Sequence, residues 1–188
     1  AARMSIGFAG SVAEAGASTV VSAFAVALSR HRDKRILLID ANFRAPTLDR
    51  LFEIEREPGL ADLVANRCDF ATAARSTRAP GLDVIPVGAQ RTNPLQIVGA
   101  ERMRHVLAEA VREYSCVLVD LPPIVANPEA AVLAAELNGT VIVVRAARTR
   151  WEIVQKAHDC LNAVHARVLG VVLNERRYAI PSFVYRRL

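Results

Sequence analysis

Lysine is almost absent. Of 24 basic residues only Lys34 and Lys156 are lysine; the rest are arginine. Aromatic side chains make up 5% of the chain, and the three cysteines, at 68, 116 and 160, are too few and too far apart for a disulfide framework or a metal knuckle. Reduced, buried thiols and a reducing compartment are expected instead. No apolar run approaches the ~20 residues that span a bilayer, and the opening AARMSIGFAG lacks the charged start, long apolar middle and cleavage site of a secretory signal. The domain therefore reads as soluble. Low complexity and internal repeats are also missing.

What is present is apolar bulk. At 188 residues and 52% hydrophobic, the chain can bury one sizeable core. A net charge of +5, dispersed among carboxylates, describes a solvated surface, although arginine forks also suit phosphate and anionic lipid. Apolar runs of five to seven residues recur between longer amphipathic segments, which predicts strands alternating with helices. Strands are expected near 4–9, 35–39, 82–87, 116–119, 140–145 and 168–173. Helices are expected at 17–31, 99–113, 128–136 and 150–165, with shorter pieces around 47–52, 59–65 and 69–74. Continuous rather than alternating apolarity in the strands points to a parallel sheet covered on both faces. The predicted fold is an α/β three-layer sandwich with a mostly parallel central sheet, residues 1–174 forming one domain and 175–188 a tail.

Ligands of an open parallel sheet sit beyond the carboxyl ends of its strands, and three such places carry polar residues. After the first strand comes Gly10 to Thr19, GSVAEAGAST. A phosphate loop needs converging backbone N–H groups, a lysine for the outer phosphates and a hydroxyl for magnesium. Here Gly16, Ser18 and Thr19 remain, and Ala17 stands where the lysine would be. Taken alone the motif also reads as an ordinary helix cap, yet the helix N-terminus still offers an anion seat. Asp40 ends ILLID and Asp120 ends CVLVD. An unpaired charge is a costly core residue, so each either caps the following loop or serves a phosphate site, one holding magnesium and the other completing the site or orienting a hydroxyl.

The segments RILLIDANFRAPTLDRLF, EPGLADLVA, GLDVIPVGAQRTNPLQIVGAERMRHVLAEAVREYSCVLVDLPP, VIVVRAARTR and RVLGVVLN together resemble the cytoplasmic catalytic domain of the bacterial tyrosine kinases of exopolysaccharide and capsule assembly. That family lies within the MinD/ParA-like P-loop class. The resemblance runs from about residue 4 to 174 in order and spacing. It implies a P-loop NTPase fold, with Gly16, Ala17, Ser18 and Thr19 on the family's G-K-S-T. Asp40, Asn42 and Arg44 fall on its D-x-D-x-R, and Asp120, Leu121, Pro122 and Pro123 on its D-[TS]-P-P. Asn174 takes the position that faces the nucleotide base. It further implies Ser18 and Asp40 as magnesium ligands, Asp40 and Asp120 as catalytic carboxylates, and Tyr178 and Tyr185 as the remnant of a C-terminal phosphoacceptor cluster. Those tyrosines also read as packing or contact residues.

The departures share a direction. Ala17 replaces a cation, Asn42 an acid and Leu121 a hydroxyl, and Glu14 and Ala15 alter the loop between; a single substitution at 17 would not explain the set. Phosphoryl transfer rests on positioning and electrostatics, so a degenerate regulatory domain is expected, with weak or no binding of ATP or ADP with magnesium. Of possible replacement cations, Lys34 and Lys156 fall at the wrong places, leaving Arg44, Arg145, Arg148 or Arg150. The rivals are an active autophosphorylating kinase that uses such an arginine, and a MinD/ParA-like ATPase acting on DNA or membrane. By family, the expected partner is a membrane polysaccharide co-polymerase on the same or a separate chain, with self-association possible and no nucleic acid. The expected place is the cytoplasm, at the inner face of the bacterial inner membrane. The predicted helix at 101–113 also carries Arg102, Arg104 and Arg112, read as a solvated face.

Overall fold

The computed structural model describes residues 3–31, 34–89, 91 and 93–176. Along the chain the elements are β1 (Met4–Gly10), α1 (Ala17–Ser29), β2 (Ile36–Asp40), α2 (Leu48–Leu51), α3 (Leu60–Val64), α4 (Phe70–Ala73), β3 (Arg75–Ser76), β4 (Leu82–Ile85), α5 (Pro94–Val98), α6 (Glu101–Glu113), β5 (Cys116–Leu121), α7 (Pro128–Ala135), β6 (Gly139–Arg145), α8 (Trp151–Ala163) and β7 (Val168–Asn174). The strands form a seven-stranded sheet in the order β3-β4-β2-β5-β1-β6-β7. Every pairing is parallel except that of the two-residue β3 with β4. The predicted three-layer α/β sandwich is present.

Two cores explain why the strands read as unbroken apolar runs. Leu37, Ile39, Val117 and Val119 point to one face, where they pack with residues of α3 to α8. Ile36, Leu38 and Leu118 point to the other, under Val21 and Ala25 of α1 and Leu48 of α2. All five residues of β2 are buried. Period-two alternation is therefore hidden, because both faces are equally dry.

Three expectations change. The predicted helix 99–113 is α6, Glu101–Glu113, but the short helix ahead of it was not expected: Asn93 caps α5 by accepting from the Leu95 N–H at 3.0 Å, Pro94 starts it, and the chain breaks at Gly99 and Ala100 before α6 begins. Ala100 takes an extended conformation (φ −69°, ψ 139°), which no apolar period reveals. Strand β3 is too short to leave a pattern. The cysteines are free thiols, as expected, but Cys68, Cys116 and Cys160 are half-buried rather than buried.

A buried carboxylate pins the loop after β4 to α3. Asp62 Oδ2 accepts the N–H groups of Gly59 and Ala89, both at 2.9 Å, and Oδ1 accepts from Arg67 Nε at 3.0 Å. Burial pushes this carboxyl up, but the two backbone donors and Arg67 outweigh it and hold the group below the usual carboxylate range. Its stabilisation is therefore complete at neutral pH and is lost as acid protonates it below that range. Asp62→Ala is expected to cost about 2–4 kcal/mol at pH 7, since it strands two buried N–H groups and a guanidinium. Urea denaturation at pH 7 and pH 3 checks this, and the difference from the unmodified chain should shrink at the lower pH.

Candidate phosphate site

The carboxyl ends of β1, β2 and β5 meet at one edge of the sheet, as their parallel registers require. Asp40 lies directly opposite Asp120, and Phe8 of β1 opposite Asp120 on its other side. Both aspartates are 0% exposed. Asp40 is well supplied with donors: Oδ1 accepts from Asn42 N–H at 3.1 Å, and Oδ2 from the Thr47 and Leu48 N–H groups at 3.2 and 3.1 Å. It shapes the loop into α2, as the capping reading proposed. Burial nevertheless pushes its carboxyl up to about 6, against the pull of those N–H groups.

Asp120 has no such support. Neither carboxylate oxygen has a hydrogen-bond partner among the described residues. The Ser18 hydroxyl lies near enough to pull the carboxyl down, yet it does not complete a hydrogen bond. Burial, reinforced by the charge of Asp40, holds Asp120 well above the usual carboxylate range. Two acids sharing one dry corner cannot both ionise cheaply.

Above them lies the loop from Gly10 to the start of α1. Gly16 adopts the left-handed conformation (φ 83°, ψ 25°), and Glu14, a residue that visits this region at a cost, adopts it too (φ 58°). Ser11 N–H bonds to the Val143 carbonyl at 3.0 Å, tying the loop to β6. No side chain caps the N-terminus of α1, so its leading N–H groups are open to an anion. Asn174, the last residue of β7, donates from Nδ2 to the Ala15 carbonyl at 3.0 Å. Its amide lies over Gly16, where an added Cβ would sit 2.2 Å from Nδ2. Gly16 is thus required twice, by its dihedral and by its neighbour.

A cleft of about 320 Å³ opens over this loop. Ala15, Gly16, Ala17, Ser18, Thr19, Asn42, Thr47 and Leu121 line it, and its one charged side chain among the described residues is Glu14. No described cation compensates for Ala17. Arg44 is held at 2.8 Å by Glu129, a buried acid, and Arg145 pairs with Glu175 at 2.5 Å. Arg148 and Arg150 are exposed on the loop after β6 and do not line the cleft. Lys34 lines a separate hollow with Gly81, and Lys156 lies on the exposed side of α8. Of the predicted site residues, the structure brings together Gly16, Ala17, Ser18, Thr19, Asp40, Asp120 and Asn174. Tyr178 and Tyr185 lie outside the described residues. Sequence reading missed the Arg44–Glu129 pair and the contact of Asn174 with the loop; neither residue type nor spacing signals either one.

A family model for ParA, described as an NUBPL iron-transfer P-loop NTPase, matches residues 10–184. The tyrosine-protein kinase YwqD of Bacillus subtilis is 30% identical over 167 residues, covering 89% of this chain and 70% of its own. The chain belongs to the ParA-like P-loop NTPases, among the bacterial tyrosine kinases. A putative tyrosine-protein kinase EpsB of Ralstonia solanacearum is 34% identical over 154 residues, 82% of this chain but 20% of that protein, so the chain spans only a fifth of some longer family members. Among solved structures, the chimerical protein CapA2B2 superposes with a TM-score of 0.89 at 26% identity over 95% of this chain and 78% of that one. The kinase domain of Escherichia coli ETK gives 0.86 at 25% identity over 95% and 71%. The cell-division ATPase MinD of Pyrococcus furiosus, at 19% identity and a TM-score of 0.77 over 98% and 78%, shares the fold.

The family's motifs give the buried acids a test by pH. A carboxyl whose folded-state pKa is raised favours folding while protonated, and that advantage is lost as pH rises past the unfolded value of about 3.9 towards neutrality. Asp120→Asn removes the penalty. Thermal and urea melts should show the variant more stable by roughly 1–3 kcal/mol at pH 8 and little changed at pH 4.

Proposed function

We propose that this chain is a regulatory member of the bacterial tyrosine-kinase family, binding nucleotide weakly or not at all and acting on exopolysaccharide assembly through protein contacts. The observation that carries the reading is a phosphate loop folded in anion-binding form over two buried acids, with no described cation in its cleft. By family, it works beside a membrane polysaccharide co-polymerase, on the same chain or another, at the cytoplasmic face of the inner membrane. Among the described residues no helix is long and apolar enough to cross a membrane, so any anchorage falls to that partner or to further chain.

The residues fit a divalent cation better than they fit phosphate transfer. Asp120 offers buried oxygen lone pairs that nothing described satisfies, and hard oxygen donors are what magnesium takes. Ser18, Asp120 and Asp40 would hold it, Asp40 with most of its acceptor capacity already spent on the loop. Bound magnesium would neutralise phosphate charge. The first N–H groups of α1 and the Ser18 and Thr19 hydroxyls would seat the phosphates. What is missing is a fixed positive group for the charge that spreads over a transferring phosphoryl, a contribution of order 10³-fold or more in comparable sites. Asn42 supplies no charge either; its Oδ1 accepts from Ala45 N–H at 3.2 Å and braces the loop. Leu121, 1% exposed, puts hydrocarbon where the family has a hydroxyl.

Titration calorimetry with Mg-ATP and Mg-ADP tests the proposal. Weak or undetectable binding is expected from the unmodified chain, and Ala17→Lys should tighten it by roughly 10–100-fold, the effect of one charge-assisted contact. Tight magnesium-dependent binding together with phosphate appearing on Tyr178 or Tyr185, and lost in Asp40→Ala, would instead establish an active autokinase.

A further inference from the structure

A second concavity, about 600 Å³, lies away from the phosphate site, beside Ser5 and Asn138, where β1 and β6 begin. One face of α6 forms its wall with Arg102, His105, Glu109 and Arg112, spaced at three, four and three so that they fall on a single stripe. The opposite face, Met103, Val106, Leu107 and Ala110, is buried against the sheet. Arg104 reaches Glu136 at 3.5 Å across the groove. Arg102 and Arg112 form no ion pair among the described residues, and the Arg102 Nε is buried with no hydrogen-bond partner. Arg3 adds a further guanidinium, which donates to the Arg112 carbonyl.

We infer that this groove docks an acidic helical segment of a partner protein. A buried guanidinium N–H without an acceptor is costly, and two planar forks without counter-charges match carboxylates in a way that a lone ammonium does not. Arg102 and Arg112 stand about 15 Å apart along α6, nearly three turns, the reach of a second helix lying beside it with acids at i, i+3, i+7 and i+10. A phospholipid surface fits less well. Glu109 and Glu136 in the lining would repel lipid phosphates, whereas a protein segment can offer them donors, and a hollow suits a helix better than a plane. The inference deepens the regulatory reading above, on which it rests, but its test involves no nucleotide.

The probe is a fluorescein-labelled helical peptide with glutamates at i, i+3, i+7 and i+10, titrated by anisotropy into the unmodified chain, into Arg102→Glu/Arg112→Glu, and into Arg30→Glu, a control whose arginine lines a different hollow. Saturable, salt-sensitive binding is expected, weakened at least tenfold by the paired reversal and retained by the control. Arg102→Gln/Arg112→Gln should lose binding similarly, and it serves if the reversal fails to fold by circular dichroism. Equal binding by all variants, or equal loss in the control, overturns the proposal. So does sedimentation of the unmodified chain, but not of the paired variant, with phosphatidylglycerol vesicles in the absence of peptide binding, which assigns the groove to membrane. Ala17→Lys should leave peptide affinity unchanged, so a failure here leaves the nucleotide reading standing, and the converse holds.

Discussion

The burial of two carboxylates side by side at the ends of β2 and β5 is the constraint around which the top of this molecule is arranged. Register places Asp40 opposite Asp120, and both are sealed from water. The protein resolves the conflict unequally. Asp40 is surrounded by backbone donors from the loop it organises, which keeps its carboxyl nearer the charged form. Asp120 is left without them and bears most of the repulsion. The pair differs in its surroundings: one acid builds the loop that leads to α2, and the other has no hydrogen-bond partner among the described residues. Asn42 braces the Asp40 loop through Ala45, and Leu121 follows Asp120 along β5.

The shape of the loop between β1 and α1 does not depend on the side chain at 17. Gly16 holds its left-handed dihedral at the start of α1, Ser11 anchors the entry to β6, and Asn174 clamps the Ala15 carbonyl from the end of β7. These are backbone and amide contacts, indifferent to what stands at 17. Glu14 keeps a positive φ without being glycine, a strain of order 1 kcal/mol that persists because both flanks are fixed. Form and charge differ here: the loop and the uncapped start of α1 have the shape of an anion cradle, while the charged side chain described in its cleft is an acid.

Much of this was legible in the one-dimensional pattern, for identifiable reasons. Asp40 and Asp120 stand out because a charge closing an apolar run makes poor core, and the strands stand out because both sheet faces are dry. The P-loop resemblance put both acids in one site, but their pairing directly across β2 and β5 was not legible, since the two strands are far apart in the chain and strand order leaves no local trace. Helix α5, Pro94–Val98, was missed because five residues are too few to show an apolar period. Arg44 illustrates the deeper limit. By sequence it is a free arginine beside the site, a fair substitute for lysine, and only the fold brings it against Glu129, 85 residues on. The same holds for Asn174, whose amide meets a loop 159 residues earlier. Long-range pairing decides which charges are available, and it is what a linear reading cannot supply.

The charge that remains has a consequence for the order of events at the cleft. Glu14, Asp40 and Asp120 place negative or proton-sharing groups where a family member with its lysine would present a cation, so a bare polyphosphate approaching this loop meets repulsion with only the helix N–H groups to offset it. On the proposed reading, Asp120 with Ser18 would hold a divalent cation, whose charge would offset that repulsion. The acids and the open N-terminus of α1 therefore work in series rather than independently. On the proposed reading, the cradle would hold phosphate once the corner beneath it is neutralised, by a metal ion or by the protons that burial favours.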